Sequence, residues 1–432
     1  MYEPKMMLNE EEKSILQGKE GETKRKMMEC LVRYGDIFGA KRLVGLTHKQ
    51  GHLVTSFGIS MLKPIYPLMD ELIKAGLKAP AGFTADPRPM EFDQCSANLL
   101  EKFVFKKIIY GKQKQYEEQL SKVGLSNKDA FSCTCYLKEM GNTPKKGDVI
   151  SWAESSAVVY ANSVLGAKCN RNSGVLELFG TILGKAPEFG FLTEEGRKAT
   201  WKIIIKTTKK PEAQILGSAI GMKVMDQVPY VVGLDKYLKE LPDEDTISYL
   251  KDFGAASASN GAVGLYHIEN ITPEAKEQGK SLLKEGYKEY IIDDAELDRV
   301  YKSYPIMWKK KNKKAYRCFI GCPHLTLKQL IDWTNVLEKA LKETNRKKLY
   351  IDTVFTTSPG VREEFKKLPQ YKTLTSMGAH VSCICPLMYA DNPLCGAKRL
   401  MTNSNKLRTY TFSRYYKDEE VVSILSNKKE GK

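Results

Sequence analysis

The sequence predicts an α/β protein of several domains, and three observations carry that prediction. Helix-like and strand-like patterns alternate along the whole chain instead of falling into all-helical or all-strand blocks. At 432 residues the chain exceeds what one ordinary core holds, so two or three domains are expected. The composition, 42% hydrophobic and 28% charged, is that of a globular protein without collagen-like or disordered bias.

The first helix starts at Asn9, where Glu12 three residues on completes a capping box, and apolar positions follow at helical spacing. "RLVGL" then reads as a short strand. The block "WAESSAVVYANSVLGAKCNR" sets Ser155, Ser156, Asn162, Ser163 and Asn170 among Ala, Val and Leu. Hydrogen-bonding side chains in an apolar run cost free energy unless each finds a partner, so these residues either brace one another or line a site. "TISYLKDFGAASASNGAVGLYHI" reads as a helix leading through a small-residue turn into the strand "AVGLYHI".

In the last third, "ELDRVYKSY", "LTLKQLIDWTNVLEKALKE" and "PGVREEFKKL" are helical, while "YRCFIGC", "KLYIDTVFTT" and "HVSCICPLM" are strands. This alternation predicts a small parallel sheet, and ligands collect at the carboxyl ends of such strands. "GCPH", "FTTSPG" and "CICP" fall at those ends. The expected domains are 1–130, 131–310 and 311–432, with the lysine run "KKKNKK" as a junction.

Several function classes drop out. The N-terminus is charged from its third residue and lacks a secretory signal, and no run of about 18 apolar residues exists to span a membrane. A cytoplasmic protein is expected. The net charge of +16 comes mainly from lysines in surface-like runs, without a nucleic-acid motif or interleaved aromatics. An anionic small molecule would profit from that field.

Ten cysteines in a cytoplasmic chain point to free, metal-binding or catalytic thiols rather than disulfides. Cys133 and Cys135, Cys318 and Cys322, and Cys383 and Cys385 form three separated groups, each able to give one thiolate to iron or to an iron-sulfur cluster. No CxxC occurs, so a zinc ribbon is excluded. Free cysteine is also among the most buried residue types, and Cys30, Cys95 and Cys318 are read as core thiols. For Cys322 both readings stand. A cluster held by three thiolates leaves one iron as a Lewis acid for a substrate hydroxyl. Dehydration of a hydroxy acid further needs a base and groups to hold the carboxylate, and Ser404, Ser358, Lys406, Lys168 and Arg171 offer these.

Together the blocks "WAESSAVVYANSVLGAKCNR", "LGSAIGMKVMDQVPYVVGL", "GAASASNGAVGLYHIENITPEA", "IGCPHLTLKQL", "TTSPGV" and "TNSNK" resemble the large catalytic subunit of the aconitase X family. The resemblance implies an aconitase-like assembly of parallel or mixed sheets flanked by helices. It also implies an iron-dependent hydro-lyase acting on a small anionic carboxylate. The preferred substrate is cis-3-hydroxy-L-proline, with mevalonate 5-phosphate as the alternative if an extra cationic patch exists to hold phosphate; the rival reading, motivated by altered residues around the first and third cysteines, is a diverged non-catalytic binding or scaffold protein that keeps the fold.

It further implies Cys135, Cys322 and Cys385 as ligands of an iron-sulfur cluster or mononuclear iron. The distance to Trp152 selects Cys135 over Cys133, and the distance to Ser404 selects Cys385 over Cys383. Ser404, Ser358 and Lys406 become catalytic candidates. His52, Ser155, Ser156, Asn162, Ser163, Lys168 and Arg171, with Glu154, would form the substrate wall. The small swivelling domain has no counterpart block in this chain, so a separate small subunit is implied. Departures include "CYLK" for the family's "CTPY", Lys168 for an arginine, "THKQGHLV" for the "SAHI" block, and "APAGFTADPRP" where the family has "PTTLNP".

Overall fold

The computed structural model describes residues 2–54, 63–95, 97–308, 314–391, 394 and 398–427. Most of the expected junction "KKKNKK" lies outside the described residues. Among the described residues the strands form four sheets flanked by helices, as the α/β alternation predicts.

Two small sheets belong to the N-terminal part. Strand β1 (Leu43–Gly45) pairs antiparallel with β4 (Lys185–Pro187), and β2 (Gly51–Leu53) pairs parallel with β3 (Phe83–Ala85). The capping box at Asn9 is present, both hydrogen bonds made. The next helix, Glu22–Ile37, buries Met27, Met28, Leu31, Val32 and Gly35, which places Cys30 off that stripe. Cys30 is therefore exposed, not a core thiol as its residue type suggested, whereas Cys95 and Cys318 are buried as expected.

A four-stranded parallel sheet follows, in the order β7-β6-β5-β8, from β5 (Ala199–Ile205), β6 (Pro229–Val232), β7 (His267–Ile268) and β8 (Leu283–Ile292). The strand expected over "AVGLYHI" shrinks to two residues. The Gly264 carbonyl and the Tyr266 amide are taken up by the side chains of Asn162 and Ser163, not by a neighbouring strand. Beside this sheet the Ala213–Val224 and Glu244–Asn260 helices pack closely through small residues. A Cβ on Gly217 would sit 2.3 Å from the Phe253 carbonyl oxygen.

The second large sheet is also parallel, in the order β11-β10-β9-β12-β13. Its strands are β9 (Arg317–Leu325), β10 (Asp352–Thr357), β11 (Ala379–Ser382), β12 (Leu400–Thr402) and β13 (Arg414–Tyr415). Register between β9 and β10 breaks near its end: Ile320 faces Phe355, but the next pair is Leu325 with Thr357. The chain spends Gly321, Cys322, Pro323 and His324 where β10 spends Thr356 alone, so this segment bulges from the sheet. Gly321 allows it, with a φ of 114° and a position where a Cβ would lie 2.3 Å from the Thr356 carbonyl oxygen.

Among the described residues no helix is long and apolar enough to cross a membrane.

Candidate active site

The bulge in β9, the turn after β11 and the end of β3 meet at one cavity of about 300 Å³. Its wall includes Asp86, Cys133, Glu154, Ser155, Cys322, Cys385 and Lys406. Three thiols thus face one space from three segments. His324 ties these segments together: its Nδ1 lies 3.2 Å from Ser132 Oγ, its Nε2 lies 3.1 Å from the Ile384 carbonyl oxygen, and its own amide donates to Cys133 Sγ. Burial lowers its pKa to about 4, so the ring is neutral at pH 7. The Ile384 carbonyl can only accept, which places the ring proton on Nε2 and leaves Nδ1 to accept from Ser132.

Opposite the thiols, Lys406 Nζ is ion-paired with the Glu154 carboxylate, the two side chains being 12% and 8% exposed. Glu154 also accepts from the Ser156 amide at 3.1 Å and the Ser156 hydroxyl at 2.8 Å. Burial alone would raise its pKa, but Lys406 and Ser156 hold it down to about 2. Lys406, which burial would discharge, is pushed above its ordinary value by Glu154 and by the neighbouring Cys322 and Cys133.

Asp86 follows directly on β3, where the β2-β3 register sets His52 beside Thr84. His52 is fully buried, its Nδ1 lying 2.8 Å from Thr84 Oγ1 and its Nε2 3.6 Å from Asp86 Oδ1. Burial works against charge on His52, yet Cys135 and Asp86 raise its pKa to about 10. Burial first, then Glu154, raises Asp86 to about 6.

A second cavity, of about 540 Å³, shares Glu154 and Ser155 with the first. It is lined by Arg171 and by Asn172, Ser173 and Gly174 at the start of the Gly174–Leu183 helix.

The expected site residues divide accordingly. Lys406, Ser155, Cys322 and Cys385 lie on the first cavity and Arg171 on the second, while Ser156 braces Glu154 from behind. Cys135 lies beside His52, and it is Cys133 that lines the thiol cavity. A signal for Cys133 was present: aligned on it, Cys-Thr-Cys-Tyr keeps three of the four letters of the family's "CTPY". Ser404 caps the Asn405–Tyr410 helix, bonds the Cys322 carbonyl and hydrogen-bonds the Cys322 thiol, which fixes the bulge from behind the cavity wall. Ser358 caps the Pro359–Lys366 helix. Asn162 holds the backbone of Cys169 and Gly264, Ser163 holds the Tyr266 amide, and Lys168 pairs with Glu194 at 2.6 Å. None of these last five lines either cavity. Asp86 and His324 were not singled out from sequence, because their surroundings come from long-range pairing.

Family models described as the aconitase X first, second and third domains match residues 5–195, 199–302 and 317–423. The chain belongs to the aconitase X family. It is 31% identical to the phosphomevalonate dehydratase large subunit of Methanocaldococcus jannaschii, over 94% of this chain and 95% of that one. It is 26% identical to the cis-3-hydroxy-L-proline dehydratase of Pseudomonas aeruginosa, over 92% of this chain and 65% of the relative. The crystal structure of Thermococcus kodakaraensis aconitase X in its holo-form superposes with a TM-score of 0.79 at 28% identity, covering 96% of this chain and 99% of that chain. This aconitase X chain is a hydro-lyase, and its fold is the mixed α/β assembly of that family.

The donor set fits the iron-sulfur chemistry expected of the family: soft thiols on a closed wall, with a cation at hand. Among the described residues no three His, Cys, Asp or Glu side chains gather closely enough to hold a single ion.

Proposed function

We propose that this chain, together with a separate small subunit, removes water from a hydroxylated carboxylate that carries a phosphate, mevalonate 5-phosphate. The observation that carries the choice is the second cavity. It shares Glu154 and Ser155 with the thiol cavity and is lined by Arg171 and a helix N-terminus, where a phosphate would be held. An elongated substrate would lay its hydroxyl against the thiol cavity and its phosphate by Arg171. Relatives named phosphomevalonate dehydratase large subunit support the same substrate and the same division into subunits.

Cys133, Cys322 and Cys385 would hold an iron-sulfur cluster, whose bound form supplies Lewis-acid pull on the leaving hydroxyl. A cluster suits these thiols better than mononuclear iron, because they border a space instead of converging on a point. Lys406 supplies positive charge in a dry site, where it counts for more than in water. Glu154 fixes Lys406 and, through Ser155, the seam between the cavities. The cis-3-hydroxy-L-proline reading is favoured by the Pseudomonas aeruginosa relative and needs only the first cavity.

The test is an anaerobic dehydration assay of the chain co-expressed with its small subunit, on both substrates. Turnover of mevalonate 5-phosphate with a kcat/KM at least about tenfold above that for cis-3-hydroxy-L-proline is expected. The reverse preference would replace this reading with the second one.

A further inference from the structure

Leu99, Leu100, Phe103 and Ile108 are 87, 63, 59 and 60% exposed, four large apolar side chains within ten residues. A single exposed apolar residue is ordinary, but a cluster of them marks a surface that another molecule covers. They sit on a short helical segment, the Leu99–Phe103 helix running into the π-helical stretch Val104–Ile109. Leu99 and Leu100 precede Phe103 by four and three residues, the spacing of neighbours on one α-helical face. Ile108 follows Phe103 by five, the spacing of a π turn.

The opposite face is pinned to the protein. Asn98 and Glu101 form a capping box, and the buried Glu101 carboxylate is ion-paired with Lys398. Phe105, fully buried, stacks on Tyr389 with 5.7 Å between ring centroids, and the Tyr110 hydroxyl donates to the Met388 carbonyl at 3.2 Å. Both partners belong to the Pro386–Ala390 helix, which starts directly after Cys385 and gives Leu387 and Met388 to the wall of the thiol cavity. One helix therefore separates the exposed apolar face from the cavity.

We propose that this face is where the small subunit docks, through an apolar centre ringed by acidic residues. The inference rests on the two-subunit reading above. Lys106, Lys107 and Lys112 are exposed beside the apolar residues, so the surface that complements them is acidic. The same charge disfavours a second copy of this chain, because a two-fold contact sets the patch against itself and brings lysine against lysine. The Pseudomonas aeruginosa relative matches 92% of this chain with only 65% of its own length, so the remainder of that polypeptide is a further unit permanently attached to the matched part. Permanent partners cover more apolar surface than transient ones, and this face is apolar. A unit seated on it borders the thiol cavity across the Pro386–Ala390 helix.

The experiment uses the full chain and its small subunit, with the chain as wild type, Phe103→Glu, Lys107→Glu and, as a control on the Leu327–Glu343 helix, the exposed Val336→Glu. In equilibrium sedimentation of the mixed subunits, Phe103→Glu is expected to raise Kd at least about thirtyfold, with Val336→Glu within about twofold of wild type. Lys107→Glu is expected to raise Kd about threefold or more, a difference that shrinks in about 0.5 M salt. Each uncomplexed variant should melt within about 2 °C of wild type, because side chains this exposed carry little of the fold. Amide hydrogen exchange over residues 99–109 should slow when the small subunit is added to wild type, a readout that needs no variant.

A Kd for Phe103→Glu within about threefold of wild type, or unchanged exchange over 99–109, overturns the proposal. So does self-association of the wild-type chain, or its flotation with phosphatidylglycerol vesicles, that Phe103→Glu abolishes while binding of the small subunit persists; the face would then belong to a second copy or to a membrane. A wild-type chain that does not bind the small subunit at all overturns the two-subunit reading instead.

Discussion

Lys406 and Glu154, 252 positions apart in sequence, meet as an ion pair on the wall of the thiol cavity. The pair joins the Asn405–Tyr410 helix to the block that opens at Trp152, and it leaves one protected cation beside Cys322 and Cys133. Removing either partner strands a buried charge, which is costlier than removing both.

Lys406→Met is therefore expected to cost about 3–5 kcal/mol of stability, and activity with it. Lys406→Met combined with Glu154→Gln should recover much of the stability and none of the activity. Urea denaturation of the wild type and the two variants checks this. The Glu154 share of the stability is present above the ordinary glutamate range and is lost as pH falls through about 2, because its folded pKa is depressed.

The three thiols on the cavity separate from the fourth by iron content. Cys133→Ser, Cys322→Ser and Cys385→Ser should each lower iron bound per chain after anaerobic reconstitution, while Cys135→Ser, whose side chain lies beside His52, should retain it. Equal loss in Cys135→Ser and none in Cys133→Ser would reassign the first ligand.

Gly321→Ala tests the bulge itself. A Cβ at that φ of 114° collides with the Thr356 carbonyl, at a cost of about 1–3 kcal/mol or more. Because Cys322 is the next residue, iron loading should fall further than the loss of thermal stability accounts for.

Arg171→Ala should raise KM for mevalonate 5-phosphate by about tenfold or more and leave KM for cis-3-hydroxy-L-proline nearly unchanged. A parallel rise for both substrates would place the phosphate elsewhere.

Glu177 lies fully buried under the second cavity, where its carboxyl meets Ser151 and Asn172, and burial raises its pKa to about 8. A raised carboxyl favours folding most below its unfolded pKa, and that contribution is lost as pH rises through about 8. Glu177→Gln should therefore gain on the wild type in melting temperature between pH 5 and pH 9, which thermal scans across that range would measure.

What could be read from sequence followed locality. The parallel sheet of the last third, its strand ends at "GCPH" and "CICP" and the cap at Asn9 depend on near neighbours, and the structure has them where the patterns put them. Asn162 and Ser163 stood out as polar residues in an apolar run, but their partners, at Gly264 and Tyr266, lie about a hundred positions away and are backbone groups. The choice between Cys133 and Cys135 turns on which way a loop rolls, which spacing from Trp152 does not determine. Asp86 gains its setting from the pairing of His52 with Thr84, invisible without the β2-β3 register.

The cavity takes its wall from residue 86 at one extreme and residue 410 at the other. Nearly the entire polypeptide must leave the ribosome and find its shape before the pocket exists, so nascent or clipped chains offer scattered thiols and no vessel. A cluster of the kind proposed above would then be delivered to finished protein, and a fragment ending before Lys406 would lack part of the wall that receives it.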